Sequence, residues 1–272
     1  MASLVALARA EFQRVGVLHR FRFLAHLGTL LLGVATLFLR EPFAYGCSIS
    51  AVLTELIAYL VRLQAGKLQG HASEALRRAQ LMEALGKTAE PLDLADIRTG
   101  FSSSIEKRAA AFEDARYYAA VEPCGPRRLV ALLQESAFWS KHLYRTAGER
   151  SLALWLIVLG VVAGVLVFGQ PFFSSNLALN FARTAAVFLS FVSATDGLTR
   201  ALEWRHAAEL TKAVDRRLEH IDGDVEEPLL AIFADYAVIT ASAPPIPAGI
   251  YKAEQERLNA LWSQRKGTLS AG

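Results

Sequence analysis

The chain has 272 residues, 53% of them apolar, and a formal net charge of +3. So small a charge, with no basic run interleaved with aromatics, leaves no footprint for nucleic acid, and none is expected as a partner. The two cysteines, Cys47 and Cys124, lie far apart with no CxxC and no histidine nearby, which leaves neither a disulfide framework nor a cysteine metal centre.

The apolar excess falls in four blocks, so membrane spans come before any soluble fold. The first, "FLAHLGTLLLGVATLFL", runs uncharged from Phe23 to Leu39 between Arg22 and Arg40. At 1.5 Å per residue it reaches roughly 26 Å, close to the bilayer core of about 30 Å. It ends in "LREPF" rather than a small-x-small site, so it is not a cleavable leader. The second, "AYGCSISAVLTELIAYLV", starts at Ala44 and carries Glu55. The third, "LALWLIVLGVVAGVLVFG", starts at Leu152 without charge. The fourth, "NLALNFARTAAVFLSFVSAT", starts at Asn176 and carries Arg183. Uncharged runs of this length are uncommon in buried helices of soluble domains.

Within each pair the connection is short: "REPF" holds Pro42 and "QPFFSS" holds Pro171. The expected fold is an all-α integral membrane protein with four transmembrane helices in two tandem hairpins, each followed by cytoplasmic amphipathic helices. Residues 1–22 form an N-terminal amphipathic segment and 23–64 the first hairpin. Residues 65–150 form a helical region, 151–198 the second hairpin, and 199–272 a C-terminal helical region. An even number of spans puts both termini and the middle region on one side. That side holds Arg14, Arg20, Arg22, Lys67, Arg77, Arg78, Lys141, Arg145, Arg150, Arg200 and Arg205, against Arg40 alone opposite. The positive-inside rule makes it the cytoplasmic side.

The words "HASEALRRAQ" from 71 and "HAAELTKAVD" from 206 recur after a Pro-Phe turn and a span. The later "RYYAAVEPCGPRRLVALLQESAFWSKHLY" and "DYAVITASAPPIPAGIYKAEQERLNALWSQ" each join a Tyr, a Pro turn and a helix ending near Trp139 or Trp262. Two copies of one unit account for this, arranged as a parallel repeat. Helical stripes run through Leu68, Ala72, Ala75, Leu76, Ala79 and Met82, through Ala207, Leu210, Val214, Leu218 and Ile221, and through Leu129, Leu132, Leu133 and Leu143. They read as a helical bundle beneath the membrane, and are also faces on which a partner or second subunit could dock. Residues 86–104, rich in Gly, Pro and Ser, read as a loop around a short helical turn.

Charges inside a span mark functional positions by default. Glu55 lies twelve residues past Phe43 and Arg183 eleven past Phe172, a matched depth of roughly 17–18 Å at the helical rise. Ser48, Glu55, Tyr59 and Arg62 share one face of the second span. Asn176, Asn180, Arg183 and Ser190 share one face of the fourth. Three readings stay open: a Glu55–Arg183 ion pair that fixes packing, a polar path lined by these faces, or snorkelling to the interface. His26 reads as a hydrogen-bonder within the bundle. Gly160 and Gly164 form a GxxxG that suits close helix contact and oligomers.

No Walker loop, GxGxxG, HExxH or GxSxG occurs, and no metal-ligand cluster. The acidic "DGDVEEP" lacks EF-hand spacing and reads as a helix boundary. No catalytic residue, cofactor or metal is expected.

The layout, with "GPRRLVALLQESAFWSKHLYR" before the third span and "DYAVITASAPPIPAGIYKAEQERLNALW" near the end, resembles the SLATT and SMODS-associated four-transmembrane effectors of bacterial conflict systems. The resemblance implies a multi-pass protein of the bacterial inner membrane, a homo-oligomer that perforates or perturbs the bilayer. A nucleotide-signalling or other sensor would activate it. No nucleotide-binding module is visible, so that sensor would be a separate chain. A non-conducting scaffold that recruits a cytoplasmic partner, and a small channel or transporter, are the alternatives.

Overall fold

The structure is a computed structural model that describes residues 3–86, 91–114, 117–118, 120–169, 175–221 and 226–269. Among them the chain is helical, with no strand. The helices are α1 (Leu4–Ala35), α2 (Phe43–Leu85), α3 (Pro91–Thr99), α4 (Ser103–Ala109), α5 (Pro126–Gly169), α6 (Ser175–Ala194), α7 (Gly197–Glu219), α8 (Glu226–Ser242) and α9 (Ala248–Leu269). A 3-10 turn, Ala110–Phe112, follows α4. Three of them, α1, α2 and α5, hold stretches long and apolar enough to cross a membrane.

Two expectations change here. The N-terminal amphipathic segment and the first apolar block are one continuous helix, which ends at Ala35 rather than Leu39. No proline interrupts the run, so nothing in the backbone stops hydrogen bonding between the two. Residues 86–104 hold helix α3 and the start of α4, not a loop around one turn. Pro91 opens α3, where its missing N–H costs nothing, and Ile97 and Ile105 bury one side of each short helix. The Pro171–Phe172 turn lies outside the described residues. So does most of "DGDVEEP".

Local chemistry explains where the long helices stop. α2 ends at Gly86, whose φ of +65° is a left-handed value that glycine adopts without a Cβ penalty. A Cβ there would also meet the Cβ of Cys124 at 2.9 Å. α5 opens on Pro126.

The chain divides into two compact units. The first comprises residues 1–16, 67–147 and 203–272; the second comprises 17–66 and 148–202. In the first, Leu129, Leu132 and Leu133 of α5 pack with Val214 and Leu218 of α7 and with Leu229 and Phe233 of α8. A second cluster joins Leu7 of α1, Ala72 and Ala75 of α2, Ile97 of α3 and Ile105 of α4. Trp262 of α9 is buried against Phe138 and Leu143 of α5. The Trp204 indole donates to the Pro244 carbonyl at 2.9 Å. The stripes read from the sequence thus close a helical bundle, except that Leu210 stays exposed.

The two copies of the repeated word have different surroundings. His71 sits edge-on to Phe101, with ring centroids 5.2 Å apart, over a Gly100 whose Cβ would fall 1.6 Å from the imidazole. His206 is exposed.

In the second unit most large apolar side chains stay exposed, among them Leu24, Leu31, Val52, Leu53, Ile57, Leu154, Ile157 and Val161. Its internal contacts use small residues and rings. Gly28 of α1 approaches Thr54 of α2, and Phe23 and Trp155 both set a ring against Phe191 of α6.

Candidate functional site

Inside the second unit, two helices and the turn between α6 and α7 bring five ionisable side chains into one chain of contacts. Arg22 and His26 stand four residues apart on α1, so they lie on one face. The Arg22 Nε donates to His26 Nε2 at 3.2 Å. That bond settles the tautomer: Nε2 is the acceptor, so the ring proton sits on Nδ1. His26 Nδ1 then donates to Glu55 Oε2 at 3.0 Å. In the other direction Arg22 Nη2 meets Asp196 Oδ2 at 2.9 Å, and Arg62 Nη1 meets the same oxygen at 3.2 Å. Glu55 and Arg62 are seven residues apart, two turns along one face of α2.

The order Glu55–His26–Arg22–Asp196–Arg62 alternates sign, with a neutral imidazole between the first carboxylate and the first guanidinium. Two carboxylates and two guanidinium groups balance to zero. Burying charge costs several kcal/mol unless it is paired, and this set satisfies that condition. Arg22 and His26 are buried, at about 5% side-chain exposure, whereas Glu55 and Arg62 keep 42% and 55%.

Asp196 owes its place to a break in the backbone. It sits between α6 and α7 with φ +55°, a left-handed value that Asp tolerates better than most residues. Next to it, Gly197 admits the Trp155 indole so closely that a Cβ would fall 2.1 Å from it. A second polar contact on the same helices joins Arg200 to His19 Nδ1 at 3.4 Å.

A cavity of about 310 Å³ adjoins the network. His26, Thr29 and Gly33 of α1, Glu55 of α2, and Val187 and Ser190 of α6 line it. The Ser190 hydroxyl donates to its own helix, at the Ala186 carbonyl. The Thr29 hydroxyl is buried without a hydrogen-bond partner. At the far end, a Cβ on Gly33 would stand 3.0 Å from Val187 Cγ1, so α1 and α6 close tightly there.

Of the residues singled out in the sequence, Glu55, His26 and Ser190 meet at this cavity, and Arg62 joins through Asp196. Glu55 takes its hydrogen bond from His26, while Arg183 is exposed on α6. Ser48 donates to its own helix at Ala44, and Tyr59 is exposed. The Asn180 side chain lies outside the described residues. A Cβ at Gly160 or Gly164 would meet nothing within 4 Å among the described residues. Sequence reasoning missed two members. Arg22 counted only as a flanking charge, although its spacing to His26 was visible. Asp196 follows the last residue of the fourth apolar block and was not singled out, although Asp-Gly is a turn signal.

Among the described residues no group of three potential metal ligands occurs. No family model, curated protein or solved structure matches the chain.

Proposed function

We propose that this chain is a non-enzymatic membrane-permeabilising effector of the bacterial inner membrane, opened by a separate sensor protein and working as a homo-oligomer. In this reading α6 is the fourth span, the spans form two hairpins, and both termini are cytoplasmic. The carrying observation is the cavity beside Glu55 and His26. A pocket whose mostly apolar wall carries Glu55, His26, Thr29 and Ser190, in a unit that leaves most of its large apolar side chains exposed, is what a conducting assembly can widen into a path. The network supplies a natural latch. Asp196, held by two arginines where α6 gives way to α7, is where a movement of α7 would reach the spans. Lysine and arginine asymmetry supports the orientation, and the resemblance to conflict-system effectors supports the role.

One observation favours the rival reading, a non-conducting scaffold. The network is fully charge-balanced, as a pure packing device would be. Induced expression in bacteria, read with a voltage-sensitive dye, separates the two. Loss of membrane potential together with dye release from reconstituted vesicles supports permeabilisation. A protein that accumulates in the membrane yet releases nothing and leaves the potential intact overturns it.

A further inference from the structure

We infer that the cavity is the vestibule of a path for hydrated cations, that Glu55 sets its charge selectivity, and that the Gly33–Val187 contact is its closed constriction. The inference rests on the permeation reading above and names what permeates.

Charge comes first. Among the described lining residues Glu55 is the one carboxylate, and His26 Nε2 accepts from Arg22. Both arginines of the network contact Asp196, and Arg22 also donates to His26. An ion in the cavity therefore meets the Glu55 carboxylate, with no lysine or arginine among the described lining residues. A carboxylate offers about four lone-pair sites, and Oε2 uses one of them for His26. With Glu55 at 42% exposure, acceptor capacity remains. The buried, unpartnered Thr29 hydroxyl supplies a second oxygen at the same cavity.

Size decides how the cation is held. A dehydrated hard divalent ion takes about six to eight oxygen ligands, far more than this wall offers. A space of about 310 Å³ instead holds several waters at roughly 30 Å³ each. The ion keeps most of its shell, and the single carboxylate selects by sign.

The geometry also argues against a proton relay through the side chains of the network. A proton could pass from Glu55 to His26, but the next group is Arg22. A guanidinium does not give up its proton in proteins, so the relay stops there.

The constriction lies seven residues beyond His26, about 10 Å along α1. At that level Gly33 and Val187 touch, and the polar lining lies on one side of them. Removing Val187 methyls widens the contact without touching the charge.

The full chain reconstituted in a planar bilayer under a KCl gradient tests this. Wild type should reverse near the K⁺ equilibrium potential. Glu55→Gln should lower the K⁺/Cl⁻ permeability ratio by about tenfold or more, whereas Glu55→Asp should retain it. Val187→Ala should raise conductance without moving the reversal potential. Anion selectivity, a current carried by protons, or a ratio unchanged in Glu55→Gln overturns the inference. If no form conducts, the permeation reading falls, and binding decides the cation site separately. In detergent, KCl should then raise the melting temperature of wild type over N-methylglucamine chloride at equal ionic strength. Glu55→Gln, with an unaltered gel-filtration profile, should lose that difference. An equal response of both proteins overturns the site.

Discussion

Two glutamates show how the two units of this chain differ. Glu11 of the first unit is 1% exposed, and both its carboxyl oxygens are buried without a hydrogen-bond partner. Its nearest ion-pair contact is Arg14, 3.7 Å away. Burial pushes its carboxyl above the usual range, and the opposing pull of Arg14 and His71 does not cancel that. Glu55 of the second unit has a direct partner in His26 and a cavity beside it. The surroundings are reversed in the same sense. All the largest fully buried side chains, Leu7, Leu129, Leu132, Leu133, Leu218, Leu229 and Leu258 among them, belong to the first unit. Most large apolar side chains left outside belong to the second. The first unit is ordered by burying apolar groups and tolerates a poorly satisfied carboxyl within its core. The second unit buries charge only as a complete network and turns its apolar groups outward.

The strongest way to break this contrast is to remove comparable side chains from each. Leu132→Ala in the first unit should cost about 2–5 kcal/mol, since it leaves a cavity in a closed core. Ile57→Ala in the second should change stability in detergent by less than about 0.5 kcal/mol. Thermal melts of the two purified variants settle it. A comparable loss at Ile57 would place that residue inside a subunit interface.

The network should be the second unit's most sensitive point. Asp196→Asn keeps a residue that accepts the left-handed backbone but leaves Arg22 buried without its carboxylate. The expected cost is about 2–3 kcal/mol, below that of a fully buried pair because Asp196 keeps 28% exposure. If the melting temperature does not move, the pairs do not hold the α6–α7 junction.

Each unit also has one glycine that makes room for a ring. Gly100→Ala would press on His71 and Gly197→Ala on Trp155. Both should destabilise by about 1–3 kcal/mol through overpacking. Rescue by His71→Ala in the first case and Trp155→Ala in the second would confirm the contact.

The smallest effect concerns pH. A carboxyl whose folded pKa is raised makes the folded state bind more protons than the unfolded state, so stability falls as pH rises. For Glu11 the fall starts near its ordinary value of 4.5 and continues through the raised value. Glu11→Gln removes that penalty. Its melting temperature relative to wild type should therefore improve as the pH rises from about 4.5 and level off once it passes the raised value. A difference that does not change above pH 4.5 would mean that burial does not raise the Glu11 carboxyl.

The long helices were legible because their signals are local. Proline, glycine and apolar period lie along the chain, and the stripe Leu129–Leu132–Leu133 buried as its spacing required. Glu55 and His26 stood out because each interrupts an otherwise apolar run. The partner of Glu55 was not legible. Matched depth measures distance along a helix axis, but a contact also needs the right angle around it. His26 satisfies both conditions for Glu55.

By itself, then, the sequence determined that this protein is helical and that α1, α2 and α5 carry membrane-length apolar stretches. These properties accumulate residue by residue and need no knowledge of neighbours. Tertiary structure decided which polar groups meet. The φ of Asp196, the room that Gly197 leaves for Trp155 and the approach of α1 to α2 and α6 placed Arg22, His26, Glu55, Arg62 and Asp196 in one network. Ion pairs and hydrogen bonds act over about 3–4 Å, a scale set by how helices pack rather than by spacing along the chain.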